Sequence, residues 1–141
     1  MKMPKKYKDR KSAMAAADRW FSRYIRLRDS TDIGTAKCVT CGNWHSWKNI
    51  DCGHFRKRGN FSTRYDEKNC ASQCKSCNRF RGGMDFEFGQ SINHRWGAGT
   101  AEDLNIKSRQ RCQMKKFDFE YIAEEYKEKA KQLAKQKGIE I

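Results

Sequence analysis

Apolar residues recur at helical spacing at both ends of the chain and in short runs in the middle. Over residues 12–29, Met14, Ala17, Phe21 and Tyr24 or Ile25 share one stripe of an alanine-rich stretch, and Arg19, Arg23 and Arg26 fall largely elsewhere. This spacing predicts a packing helix with Ser12 as N-cap, its arginines solvated or set against phosphate. Near the other end Phe119, Ile122, Tyr126, Ala130 and Leu133 form a second stripe. They predict a helix opened by Asp118 and running from about Phe119 to Lys137, helped by Glu125 and Lys129 at i,i+4. Its alternating charges read as a solvated face, and its apolar stripe could pack on another subunit. Two shorter helices are predicted between these. One runs from Asp85 to about Trp96 and ends at Gly97 and Gly99. The other opens at Thr100, with Asp103 three residues on.

The middle of the chain has a different rhythm. Ser30, Thr31, Asp32 and Gly34 close the first helix, and Gly82-Gly83 is a break. The aromatic, mixed run over residues 44–50 predicts a strand. The order is then a strand with Asp51 and His54, a loop, a second strand, and a short helix starting within residues 73–81 that carries Asn78. An α+β fold is expected. A basic tail, residues 1–11, is disordered when free. One domain, 12–141, follows: an N-terminal helix (12–29), a central unit (38–83) and a C-terminal helical region (85–141).

Charge and hydropathy sharpen this picture. Lysine and arginine number 31 against 17 acids, a formal net charge of +14, and the pI is about 9.7. A polyanionic partner, nucleic acid first, is implied, and neither a membrane nor a small-molecule substrate is expected. Only 37% of the 141 residues are hydrophobic and the mean hydropathy is −1.06, so the core is small and calls for a staple. No apolar run reaches transmembrane length, and no apolar segment follows the basic N-terminus as in a secretory signal. The seven cysteines are therefore expected in a reducing cytoplasm, as metal ligands rather than disulfides.

Two C-x-x-C units stand out, Cys38-Val39-Thr40-Cys41 and Cys74-Lys75-Ser76-Cys77. Two intervening residues let both sulfurs of each unit reach one tetrahedral ion, so the four cysteines are the expected ligands of a structural Zn²⁺. Zinc also answers the small-core problem, since its binding contributes to folding. The alternative is a set of redox or merely buried thiols. The units lie further apart than the roughly 15–20 residues of a simple ribbon, so something is inserted between them. Cys52, Cys70 and Cys112 remain as expected small buried hydrophobes, although Cys70 is spaced so that it could compete as a ligand.

The insertion holds Asp51-Cys52-Gly53-His54-Phe55, and Asn69 and Asn78 follow. These types suit phosphodiester hydrolysis. A neutral imidazole at His54 can deprotonate water. A hard cation, Mg²⁺ or Mn²⁺, needs only one or two protein oxygens, which Asn78 and Asp51 can supply. Asn69 can hold the loop or orient His54. His45 and His94 read as surface or packing residues. Around the centre lie Arg56, Lys57, Arg58, Arg64, Lys68, Lys75, Arg79 and Arg81, against only Asp66 and Glu67. Of these, Arg56, Lys57, Arg58, Arg64, Lys75, Arg79 and Arg81 are the expected DNA contacts, gripping phosphates without reading sequence.

The D-x-G-H at Asp51 to His54 and the C-x-x-C-N at Cys74 to Asn78 resemble the ββα-metal (His-Me finger, HNH-type) nucleases. The flanking knuckles resemble the zinc-stapled junction resolvases of the phage endonuclease VII type. The wider pattern resembles the lambdoid NinG (Rap) recombination proteins. It runs from Cys38-Val39-Thr40-Cys41-Gly42, through Asp51-Cys52-Gly53-His54-Phe55 and Arg64-Tyr65-Asp66-Glu67-Lys68-Asn69, to Gln73-Cys74-Lys75-Ser76-Cys77-Asn78, within a resemblance covering roughly residues 15–133. This resemblance implies a zinc-stapled ββα-metal core between helices. It also implies a metal-dependent, structure-specific endonuclease that acts on branched intermediates of phage recombination such as Holliday junctions, leaving 5′-phosphate and 3′-hydroxyl ends. For a phage protein the compartment would be the host cytoplasm. Paired nicking of a junction needs two sites, so a homodimer is expected. One departure stands out. Many HNH sites place an acidic ligand directly before the histidine; here Gly53 stands there and Asp51 lies three residues before His54, either as a ligand or as a loop-stabilising partner. Two other readings use the same residues: a non-catalytic zinc-finger nucleic-acid-binding protein, and an HNH nuclease without junction preference.

Overall fold

A computed structural model describes residues 2–141. Helix α1 spans Arg10–Arg28 and the last helix, α5, spans Lys116–Lys137. The two pack in the same direction. Ala13, Ala16 and Ala17 of α1 meet Phe119 and Ala123 of α5; higher up Phe21 and Ile25 meet Tyr126; at the top Leu27 shares a cluster with Ala130 and Ala134. Small residues on both helices allow close approach, and the aromatic rings fill the gaps between them. Lys137 then donates to the carbonyls of Leu27 (2.7 Å) and Arg28 (3.3 Å), placing a cation on the carbonyls that end α1. Everything between the helices forms an excursion that brings the chain back to its starting end.

Helix ends differ from expectation wherever a neighbouring residue caps better. Asp9, not Ser12, caps α1: its carboxylate accepts from the Ser12 N–H at 2.7 Å, so the helix starts earlier. Ahead of it the basic segment forms no helix or strand, yet Tyr7 packs against the Ala13–Phe119 cluster and its N–H donates to buried Glu120 at 2.7 Å. Met1 lies outside the described residues. Asp118 does not open α5. It sits inside the first turn and its carboxylate accepts from the N–H of Lys115, the residue before the helix. Helices α3 (Asp85–Trp96) and α4 (Thr100–Ser108) follow Met84 and Gly99, both in the left-handed region. In place of a capping box at Thr100, Asn93 of α3 accepts from the Ala101 N–H and joins the two helices.

Two small antiparallel sheets carry the centre. Strands β1 (Thr35–Lys37) and β2 (Trp44–Ser46) pair as a hairpin, and β3 (Asp51–His54) pairs with β4 (Cys70–Gln73), Asp51 opposite Gln73 and His54 opposite Cys70. The single strand expected over residues 44–50 is thus cut short. The Ser46 carbonyl accepts from the N–H groups of Asn49 and Ile50, a turn that buries Trp47 against Leu27. Between β3 and β4 the chain forms a short helix α2 (Phe61–Arg64) and a 3₁₀ turn (Glu67–Asn69); after β4 comes one π-helical turn (Ser76–Phe80) that carries Asn78. A second core, with Phe55, Ala71, Phe88, Ile92, Ala101 and Leu104, fastens α3 and α4 to the β3–β4 hairpin.

Candidate metal centre and basic cleft

The two C-x-x-C units leave their sheets side by side, the first after β1 and the second after β4. Their four sulfurs lie within 4.8 Å of one another, and the Cys41–Cys74 pair is 3.8 Å apart. Four sulfurs at about 2.3 Å from a tetrahedral zinc stand about 3.8 Å from each other, so the donor set fits that ion. Backbone N–H groups already point at the sulfurs, Cys74 N–H to Cys38 Sγ (3.3 Å) and Cys77 N–H to Cys74 Sγ (3.4 Å). Burial alone would raise the Cys38 thiol, but the Cys74 N–H, Thr40 and the Cys41 N–H bring it down to about 6, prepared as a thiolate. Burial, with Cys74 and Cys38 close by, pushes Cys77 up to about 12, a tension that a dication would relieve. The four cysteines could therefore hold a structural zinc. Cys70 does not compete for this site: it is enclosed on β4 in the Phe21–Ile25–Tyr126 cluster. Of the three leftover cysteines only Cys70 is buried. Cys52 is half-buried and Cys112 exposed, so the expectation of three buried thiols is corrected for two of them.

Beside this centre opens a cleft of about 1010 Å³. Its lining brings together His54, Asn78, Asp51, Arg56, Lys57, Arg58, Lys75 and Arg79 from the expected set. It adds Arg26, one of the α1 arginines read as solvated or set against phosphate, and Asp18, Lys48 and Arg109, which sequence reasoning missed. The three acids of the lining are all engaged by arginines: Asp18 by Arg64, Asp51 by Arg79 and Asp85 by Arg56. The field in the cleft is thus strongly positive.

His54 ends β3 at the wall of this cleft. Its Nε2 lies 3.0 Å from the Arg64 carbonyl oxygen. A carbonyl only accepts, so Nε2 carries the proton and Nδ1 keeps the lone pair. Burial depresses the imidazole pKa to about 4; the Arg64 carbonyl opposes this, and the charges of Arg58 and Arg64 add to it. At neutral pH His54 is uncharged, with one nitrogen free to accept a proton.

The carbonyl that orients His54 is itself fixed. Arg64, expected to touch phosphate, is instead buried, because its guanidinium clasps Asp18 of α1 (Nε 3.0 Å, Nη2 2.6 Å) and donates to the Arg58 carbonyl. The Tyr65 hydroxyl also donates to Asp18, at 2.7 Å. Glu67 accepts from the Tyr126 hydroxyl at 2.9 Å and from Lys129 at 3.3 Å. The 64–69 motif thus anchors the hairpin to the helix pair. Asp18 is the lone acid in an arginine-rich helix, and that was the available signal for it.

Asn69 is fully enclosed. Its Oδ1 accepts from the Arg56 N–H and its Nδ2 donates to the carbonyls of Arg56 and Thr63, which ties down the loop after His54. It bonds to the loop rather than to His54. Gly53 is required by close approach: a Cβ there would lie 2.4 Å from Gln73 Oε1 and 2.8 Å from Gln73 Cβ. No acid could stand directly before His54 on this backbone. Asp51 instead reaches the π-helical turn, accepting from Asn78 Nδ2 at 3.0 Å and from the Arg79 fork at 2.8 and 3.0 Å. Asn78 keeps its amide oxygen free. These two side chains carry the oxygens that could hold a hard cation that retains most of its waters, once Arg79 releases Asp51. Lys57 and Arg58 line the cleft, Arg56 is half-committed to Asn105 and Asp85, and Arg81 is exposed but does not line it.

Fold and site define an α+β protein in which a four-cysteine centre able to hold zinc adjoins a basic cleft. The sequence matches the family model described as Bacteriophage Lambda NinG protein over residues 2–137, and the chain belongs to that family of phage recombination-related proteins. Comparison with curated proteins and with solved structures gives no match. Among the described residues no helix is long and apolar enough to cross a membrane.

Proposed function

We propose that this protein is a metal-dependent endonuclease of the ββα-metal type that hydrolyses phosphodiester bonds in branched recombination intermediates such as Holliday junctions. The observation that carries the reading is His54: a neutral imidazole, oriented by a carbonyl, with Nδ1 free in a cationic cleft beside Asn78 and Asp51. The β3–β4 hairpin followed by a helical turn bearing Asn78 has the element order of the ββα-metal nucleases it resembles.

In the mechanism, His54 Nδ1 takes the proton of the attacking water. Its Nε2–H stays on the Arg64 carbonyl, so the ring is held in the accepting tautomer. Asn78, through its amide oxygen, and Asp51 would hold Mg²⁺ or Mn²⁺. When bound, that ion would supply charge stabilisation for phosphodiester hydrolysis. Lys57, Arg58 and Lys75 grip the flanking phosphates, and the Arg79 fork can pass from Asp51 to a phosphate as the strand enters. Asn69 is a positioning residue that keeps the 56–63 loop on the strand. Cutting both strands of a junction needs two such centres, so the proposal extends to a homodimer on branched DNA.

The test is cleavage of a labelled four-way junction and of its linear arms, with Mg²⁺ or with EDTA, by the wild type and His54→Ala. Paired cuts in the junction alone, dependent on Mg²⁺ and lost in the variant, are expected. Cutting of linear arms as readily as junctions would point to a nuclease without branch preference. Binding without cleavage under any divalent ion would leave a zinc-stapled nucleic-acid-binding protein.

A further inference from the structure

The face of the hairpin that bears His54 also bears two thiols. Cys52 lies two residues earlier on β3, hence on the same face, and Cys70 stands opposite His54 on β4. One ligand atom from each of the three residues lies within 4.8 Å of the other two. None of these belongs to the four-cysteine centre. Cys70 is enclosed, whereas Cys52 and His54 line the cleft, so the triad has a closed back and an open front. Two thiolates and an imidazole are the soft donors that zinc-like ions take, and three protein ligands with one open position is a familiar zinc arrangement. Arginine lies nearby: Arg28 Nη2 donates to the Cys70 carbonyl at 2.8 Å, and Arg26 lines the cleft with Cys52. A dication would neutralise the two thiolates formed when it binds.

We propose that Cys52, His54 and Cys70 form a second metal site that takes a thiophilic divalent ion such as Zn²⁺, and that filling it switches the cleft off. The second clause rests on the reading of His54 as the base. Binding releases the two thiol protons and uses one imidazole nitrogen. If Nδ1 coordinates, its lone pair is consumed. If Nε2 coordinates, the ring proton moves to Nδ1, which can no longer accept. Either way His54 stops acting as a base.

The experiment takes the full chain carrying one zinc, free of excess metal, and titrates it with Co²⁺ while recording visible and near-ultraviolet absorption. A further equivalent with tetrahedral bands and thiolate charge transfer is expected. It should disappear in Cys52→Ala, a half-buried position that tolerates truncation, and in Cys70→Ala. In parallel, a second equivalent of Zn²⁺ should lower junction cleavage by about 100-fold or more, the range supplied by a general base. Cleavage by Cys52→Ala should resist it. No further equivalent in the wild type, or one that survives both substitutions, would overturn the site. A filled site with undiminished cleavage would overturn the switch. A chain that never cleaves junctions would overturn the nuclease reading instead, and the cobalt spectrum would still decide the metal site.

Discussion

Asp18→Ala removes the one carboxylate that holds the arginine behind His54. Asp18 receives two bonds from Arg64 and one from Tyr65, and the Arg64 side chain is only 9% exposed. Without Asp18 a buried guanidinium is left unpaired. Breaking a buried pair by removing one partner costs roughly 3–5 kcal/mol. The Asp18 side chain retains 23% exposure, so water entering the gap recovers part of this and the lower end, about 3 kcal/mol, is expected. At about 2–4 °C per kcal/mol for a chain near this size, Tm falls by roughly 6–12 °C. Urea and thermal unfolding, run at fixed free zinc so that metal linkage is constant, would measure the loss. The double variant Asp18→Ala/Arg64→Met removes the stranded charge and should recover about half of it or more. A loss below about 1 kcal/mol, the worth of an exposed pair, would refute the reasoning, as would a double variant no more stable than Asp18→Ala.

Other outcomes follow from the same geometry. The pKa of His54 is depressed to about 4 in the folded chain against 6.5 unfolded, so the unfolded state binds the extra proton between those values. Stability should thus fall as pH drops from about 6.5 to about 4, and His54→Asn should lose this slope, leaving it in the wild-type-minus-variant difference; a difference independent of pH would contradict the burial argument. Gly53→Ala forces a methyl against Gln73 and should cost roughly 1–3 kcal/mol in urea unfolding, with a wild-type midpoint counting against the close approach. Zinc chelation, or Cys38→Ser, should unfold the β1–β2 and β3–β4 region by circular dichroism, and unchanged spectra would mean that the four cysteines do not staple the fold.

Much of the site could be read directly because its chemistry is local. Spacing within Cys38–Cys41 and Cys74–Cys77 decides that both sulfurs of each pair face one point, and Asp51 and His54 in the insertion and Asn78 just after it were legible as oxygen and nitrogen donors. The supporting residues were less legible. Arg64 looked like one more cation in a basic run, and only its burial against Asp18 of α1 turns it from a phosphate contact into a clamp. Arg26, Lys48 and Arg109 join the cleft from elements far apart in the chain. Helix ends shifted for a related reason: Asp9 and Asp118 each satisfy a free N–H a few residues from where propensity placed the boundary.

The sequence by itself determined the long helices, the four-cysteine set and the positive field, because periodicity, short ligand spacing and net charge depend on neighbours along the chain. Tertiary structure decided what those neighbours could not. It set α1 and α5 side by side in the same direction, took Arg64 out of solvent, and aligned Cys52, His54 and Cys70 on one face. It also left the histidine neutral with Nδ1 free. Each of these depends on burial and on partners dozens of residues away, and desolvation acts on what surrounds a group in space rather than on what precedes it in the chain.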